Sequence, residues 1–380
     1  MYLDLTETQR LLKESLARYL DDKSGGPTLN PGGPRDRDLW HGLAADLGLF
    51  GMALPGEEDE IDQRVATNAV IMEELGRSLA VQPYLTSIIL CGGLLGRSDS
   101  DLASRVRADL ADGRVEIAAG LSENAYGASL DLSPVDLGTA ATTQGSGFVI
   151  TGSKAVVRWA PSADWLVVNA RLGDGMALFL VPASAPGLTR RDYPTMDGAG
   201  AADLLLAGVH VPAEAMLFGP DRGAALLETV TREATVSLCA EAVGAMRRMI
   251  QMTTDYARER RQFGVAISSF QALQHLMVDM AIAVEQADAL TAMATVAVER
   301  GAGDANALSS AAKVKVGQAC RIAGQGAIQV HGGMGIADET PIGRYFKRTT
   351  AIEVELGSTE QHLRRYARLR AAHASGGARV

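Results

Sequence analysis

Three successive textures along the chain predict an α+β, multidomain protein. They are an N-terminal α-helical domain over 1–112, a middle antiparallel β-barrel domain over 113–219 and a C-terminal four-helix bundle over 220–380. Apolar residues recur at helical spacing at both ends of the chain. Between those ends lie short apolar runs separated by Gly turns, with no helical run among them, which excludes a parallel α/β sheet.

Leu5, Leu11, Leu12, Leu16 and Leu20 mark the first helix, and Thr6 is placed to cap it. Trp40 to Leu49 and Val65 to Leu79 repeat the pattern, with a Gly- and Pro-rich loop at Ser24 to Arg37 between the first two helices and a Gly-rich break at Gly92 to Asp101. GFVITG, DWLVVNAR, MALFLVP and LLLAGVHVP then read as strands, with turns at Gly145-Ser146-Gly147 and Gly173-Asp174-Gly175. Four long helical runs close the chain: about Ala224 to Arg260, Phe270 to Gly301, Ala305 to His331, and Pro341 to Ala372 with a break near Gly357. Long helices with short links predict a bundle.

Composition narrows the function. The net charge of −9 argues against sequence-independent nucleic-acid binding, which depends on clustered cations. Cys91, Cys239 and Cys320 have neither metal-site nor CxxC spacing, so no metal centre is expected and a reducing, cytoplasmic compartment is. The N-terminus has no signal-peptide pattern, and no stretch reads as long and apolar enough to span a bilayer.

Two segments carry chemistry. The first runs from Tyr256 through RRQFG to Gln271. Gly264 reads as a helix C-cap, with Arg258, Arg260 and Arg261 crowding the last turn. Arg260 offers a planar fork suited to a pyrophosphate, Phe263 an apolar face for a ring system, and Gln271 an amide for polar edges. The second is Gln329-Val330-His331-Gly332-Gly333-Met334-Gly335, whose glycines allow close backbone approach to a phosphate or ring. It lacks the strand that a Rossmann fingerprint requires. His331 reads as a packed histidine.

RRQFG with IxxFQ, then QxHGGMG, then LGST at Leu356 to Thr359, resembles the acyl-CoA dehydrogenase family in order and spacing. Leu47-Gly48-Leu49-Phe50-Gly51 with Leu54-Pro55, and Met72-Glu73-Glu74-Leu75-Gly76, extend the resemblance over the whole chain. Tyr345-Phe346-Lys347-Arg348 points to the small-subunit type of pimeloyl-CoA and steroid side-chain acyl-CoA dehydrogenases. The resemblance implies FAD-dependent α,β-dehydrogenation of an acyl-CoA thioester, with electron-transfer flavoprotein as oxidant. It also implies that Arg260, Gln262, Phe263, Gln271, Gln329, Gly332 and Gly333 reach the FAD of a neighbouring chain, with Ser358 near the adenosine end. An oligomer follows: a homo-oligomer, usually a tetramer, or an α2β2 heterotetramer with a related chain.

The sequence departs from the family twice. Where the family usually has TEPxAGSD, this chain has Leu121-Ser122-Glu123-Asn124-Ala125-Tyr126-Gly127, and where it has WITN, Val156-Val157-Arg158-Trp159. The usual catalytic carboxylate position holds Leu356, whose backbone N–H remains available for the thioester oxygen. The alternate base position of some relatives holds Ala234. Three carboxylates stand nearby. Glu241, inside the apolar stretch Leu238 to Gly244, is the first candidate base, with an ion pair to a bundle arginine as the equal alternative. Glu355 ranks second and Glu233, expected as a solvated charge, third. The competing function is a non-catalytic subunit that completes the flavin site of a catalytic relative.

Overall fold

The computed structural model describes residues 5–23, 36–55, 63–124, 137–337 and 340–376. Most of the loop expected at Ser24 to Arg37, and Ala125 to Gly127, lie outside them. Helices α1 (Glu7–Lys23), α2 (Arg37–Ala45), α3 (Leu49–Ala53) and α4 (Arg64–Ser78) come first. A π-helical segment, Tyr84–Gly92, runs without a break into α5 (Gly93–Leu95), and α6 (Asp101–Ala111) follows. The break expected at Gly92 is therefore delayed to Gly96: Gly92 and Gly93 stay helical, and added Cβ atoms would meet Leu54 Cδ2 at 2.2 Å and Val230 Cγ1 at 3.1 Å. Packing has overridden their low helix propensity.

The strands are β1 (Ile117–Gly120), β2 (Ala140–Gln144), β3 (Gly147–Arg158), β4 (Trp165–Leu172), β5 (Gly175–Pro182), β6 (Leu188–Tyr193), β7 (Ala201–Pro212) and β8 (Met216–Phe218). They form one sheet in the order β6-β7-β3-β2-β4-β5-β8. Pairing is antiparallel except at β4, which meets β1 and the end of β2 in parallel. Bulges at Ile150/Thr151 and Lys154/Val157 bend β3. Val156, inside the second, is at φ 52°, and Trp159, just past the strand end, is at φ 65°.

Helix α7 (Gly223–Glu259) opens the C-terminal region. A two-stranded ribbon of β9 (Arg261–Gln262) and β10 (Val265–Ala266) follows, then α8 (Gln271–Glu299), α9 (Ala305–His331), α10 (Ile342–Val354) and α11 (Thr359–Gly376). Helix α8 is long and apolar enough to cross a membrane by length and composition, contrary to the expectation from the sequence. Its Met280, Ala283, Val284 and Ala287 are buried within the bundle.

The chain divides into two compact units. One comprises residues 30–64 and 82–234, with the sheet and the aromatic cluster Trp40–Phe50–Tyr84 at ring separations of 4.3 and 5.9 Å. The other comprises residues 1–29, 65–81 and 235–380. Leu79, Ala245, Met249, Met280, Ala327, Ile342 and Tyr345 form a core cluster there. Within this unit α4 and α7 cross at two reciprocal glycines. A Cβ on Gly76 would fall 2.0 Å from the Glu241 carbonyl oxygen, and one on Gly244 would fall 1.9 Å from the Glu73 carbonyl oxygen. Only glycine permits this approach, which gives the Leu75-Gly76 motif a packing reason.

Candidate active site: a flavin half-site and a clamped turn

Helix α7 ends at Glu259, and the chain turns straight into a hairpin. Gln262 pairs with Val265 across the two-residue turn Phe263-Gly264. Both turn residues have positive φ, 54° and 83°. That is the type I′ pattern, in which glycine is favoured at the second position. Gly264 is thus a hairpin residue rather than the helix cap the sequence suggested, and Arg261 lies on β9 beyond the last helical turn. Phe263, in a conformation that an aromatic residue rarely adopts, is 93% exposed. It meets the Phe270 ring edge-on at 6.2 Å. Ile267 N–H donates to the Arg260 carbonyl at 2.8 Å and closes the base of the hairpin. Arg260, Gln262 and Gln271 are exposed, and the Gln262 amide donates to the Arg261 carbonyl.

The second segment lies against the first. The Tyr256 and His331 rings stack at 4.3 Å and 19°, and Ala257, Ile267 and Val330 form a small buried cluster. His331 is buried, with Nδ1 2.9 Å from the Ala327 carbonyl. Burial holds its pKa below the ordinary histidine value. Gly332 ends α9 at φ 60°, ψ −138°, a geometry that L side chains rarely adopt. Gly332 and Gly333 have open space where a Cβ would point, and Gln329 beside them is exposed. One guanidinium, one phenyl face, three amides and a bare stretch of backbone are therefore presented on one unit.

The turn from Glu355 to Ser358 is held from beneath. Lys313 on α9 is fully buried, and its Nζ donates to the carbonyls of Ile352 (2.9 Å), Glu353 (3.0 Å) and Gly357 (2.9 Å). His362 Nε2 lies 2.9 Å from the Leu356 carbonyl and so carries the donated proton. Burial, then the Lys313 charge, push the His362 pKa down to about 4. Leu356 sits at φ 54°. Ser358 caps α11: its Oγ accepts from Gln361 N–H, and Gln361 Oε1 accepts from Ser358 N–H.

Glu241 is 6% exposed. Arg348 grips it with Nε on Oε1 at 2.6 Å and Nη2 on Oε2 at 2.7 Å, while Nη1 reaches Glu355 at 3.0 Å. The two leading candidate bases thus share one buried arginine. Glu233 is not the solvated charge expected: it is buried between Arg64 (2.9 Å) and Arg97 (2.6 Å). Ala234 beside it is fully buried.

On the sheet, Glu123 keeps a defined place. It accepts from the Gly138 and Thr139 amides at 2.7 and 2.9 Å and from Lys154 Nζ at 2.8 Å. Burial opposes its ionisation, but the Lys154 and Thr139 contacts prevail and hold its pKa at about 2. Burial brings Lys154 down to about 8. Trp159 is buried.

Sequence reasoning missed Lys313 and did not foresee the stacking of Tyr256 on His331. The signal for Lys313 was a charge at a position that the helical period turns inward on α9.

The acyl-CoA dehydrogenase C-terminal domain matches residues 221–369, and the middle domain of the same family matches residues 118–209. The acyl-CoA dehydrogenase FadE27 of Mycobacterium tuberculosis is 31% identical over 343 residues, 88% of either chain. The chain belongs to the acyl-CoA dehydrogenase family. Among solved structures of this family it is similar to the Tcur3481–Tcur3483 steroid acyl-CoA dehydrogenase, with TM-score 0.86, 28% identity, and 97% of this chain and 99% of that chain covered. It is also similar to a chain of the Mycobacterium tuberculosis ChsE4–ChsE5 complex, with TM-score 0.84, 27% identity, and 98% and 99% covered. Acyl-CoA dehydrogenases are FAD oxidoreductases that act on acyl-CoA. The exposed hairpin and the open Gly332-Gly333 backbone fit that cofactor: Arg260 suits the pyrophosphate, Phe263 the ring system, and the glycine amides an anion or ring edge.

Proposed function

We propose that this chain takes part in FAD-dependent α,β-dehydrogenation of an acyl-CoA thioester within an oligomer whose flavin sites are shared between chains. The observation that carries this reading is the half-site: Arg260, Gln262, Phe263, Gln271, Gln329, Gly332 and Gly333 are all exposed and held on one rigid frame. In this reading they grip a neighbour's FAD, and Ser358 lies near the adenosine end of the chain's own. FAD, when bound, would supply the acceptor for the hydride that leaves the substrate Cβ. The Leu356 N–H donates to the thioester oxygen and polarises the carbonyl, which acidifies the Cα proton. Glu241 receives that proton once Arg348 releases it. Electrons pass to electron-transfer flavoprotein. The three domains are 1–112, 113–219 and 220–380, and the compartment is cytoplasmic, as the free, buried cysteines support.

The two-pronged Arg348 contact favours a second reading of the base. In it, Glu241 stays paired, and the proton goes to a carboxylate of a related chain in an α2β2 complex. Both solved relatives above are named as pairs, ChsE4–ChsE5 and Tcur3481–Tcur3483. One experiment separates the readings. The protein as isolated is measured for FAD per chain and for a copurifying relative, then mixed anaerobically with acyl-CoA. Bleaching by the lone chain that disappears in Glu241→Gln, with flavin retained, supports Glu241. Bleaching only with the partner supports the paired reading, and no bleaching in either form overturns both.

A further inference from the structure

A helix that continued past Val354 would use the Leu356 N–H to bond the Ile352 carbonyl and the Gly357 N–H to bond the Glu353 carbonyl. Those are two of the three carbonyls that Lys313 Nζ takes, at 2.9 and 3.0 Å. The third, Gly357, lies on the far side of the turn at 2.9 Å. Lys313 thus satisfies carbonyls that the end of α10 leaves open. Residue 356 is free to leave the helical conformation and does so, at φ 54°. Among the described residues, the Leu356 N–H donates to no acceptor. His362 fixes the Leu356 carbonyl from the other side.

We infer that Lys313 is a positioning residue that keeps the Leu356 amide turned out of the helix and ready for a carbonyl oxygen. This rests on the reading that the Leu356 turn meets a thioester. Lys313 touches no substrate. It acts by occupying the carbonyls with which the amide would otherwise pair, and among the described residues its fully buried ammonium donates to no other acceptor.

The test uses the protein as isolated, with any copurifying partner. Amide hydrogen exchange is followed at Leu356 in wild type, Lys313→Met and Lys313→Gln. Wild type should exchange rapidly at Leu356. In Lys313→Met the Ile352 carbonyl is released, so protection at Leu356 should rise while neighbouring amides lose protection. Lys313→Gln, which keeps two donors, should fall between. A lysine with only a structural role predicts lower protection everywhere, and that result overturns the inference. Slow exchange at Leu356 in wild type overturns it too, without any variant having to fold. In parallel, binding of butyryl-CoA is compared with S-butyl-CoA, the thioether that lacks the thioester carbonyl. Lys313→Met should lose about fivefold for the thioester, one ordinary hydrogen bond, and nothing for the thioether. Equal loss for both ligands counts against the inference. If wild type binds both ligands equally, the thioester reading of the turn fails while the exchange result still decides the role of Lys313.

Discussion

Arg348 holds both oxygens of Glu241, at 2.6 and 2.7 Å, and spends its remaining nitrogen on Glu355 at 3.0 Å. All three side chains are under 10% exposed. Removing one partner of a buried pair leaves an uncompensated charge, a loss of about 3–5 kcal/mol. Arg348→Met should lose at least that much stability in urea unfolding, because it strands two carboxylates. Glu241→Gln should lose less, since the amide still accepts one hydrogen bond. A double-mutant cycle should give strong coupling, and additive effects would refute the pairing.

The α4–α7 crossing makes an independent prediction. Gly76→Ala and Gly244→Ala each place a methyl about 2 Å from a backbone carbonyl oxygen. Neither carbonyl can swing aside without moving a helix, so the cost is at the upper end of overpacking, about 3 kcal/mol or more. Thermal unfolding should show a clear drop for each. Gly303→Ala, where nothing lies within 4 Å of the new Cβ, is the matched control and should change little.

Phe263 contributes almost nothing to its own chain's packing at 93% exposure. Phe263→Ala should therefore leave the unfolding midpoint of FAD-free protein unchanged and still lower the FAD retained per chain on gel filtration. Arg260→Ala should do the same, with a loss that is largest at low salt and shrinks as salt screens the charge. Unchanged FAD content in both variants would remove the half-site from the proposed function.

Acid should weaken the fold in two windows. His362 has a folded pKa of about 4 against an ordinary 6.5, so the unfolded chain binds the proton first. The neutral ring's contribution is present above 6.5 and is lost as pH falls toward 4. Glu123, at about 2 against an ordinary 4.5, contributes stability that is present above 4.5 and is lost as pH falls toward 2. His362→Gln should flatten the first window and Glu123→Gln the second, read as unfolding free energy against pH.

The long amphipathic helices and the run of strands were legible because each carries its own period. Helix α9 falls at Ala305–His331, as the sequence suggested. What failed was local and tertiary. The Gly264 cap was read from a glycine after a cationic run, but the hairpin register of Gln262 with Val265 won. The helix through Gly92 and Gly93 is stabilised by close packing that no local propensity reports. The residues proposed for the half-site could be singled out because the chemistry proposed for them fixes their types, and the structure leaves them exposed on one unit. The Lys313 clamp and the choice of Arg348 for Glu241 were not, since both depend on helices that meet only in three dimensions.

The reciprocal glycines of α4 and α7 also constrain how this chain can vary. Each helix presents a glycine to the other's glutamate carbonyl, so the two backbones mesh at two points three residues apart, Glu73 with Gly244 and Gly76 with Glu241. One residue inserted or deleted between those points would turn the helix by about 100°. It would break one contact and swing either Glu241 away from Arg348 or Glu73 away from Arg247, its ion-pair partner at 3.1 Å. The two segments work as a vernier: their lengths are fixed by the two points at which they mesh.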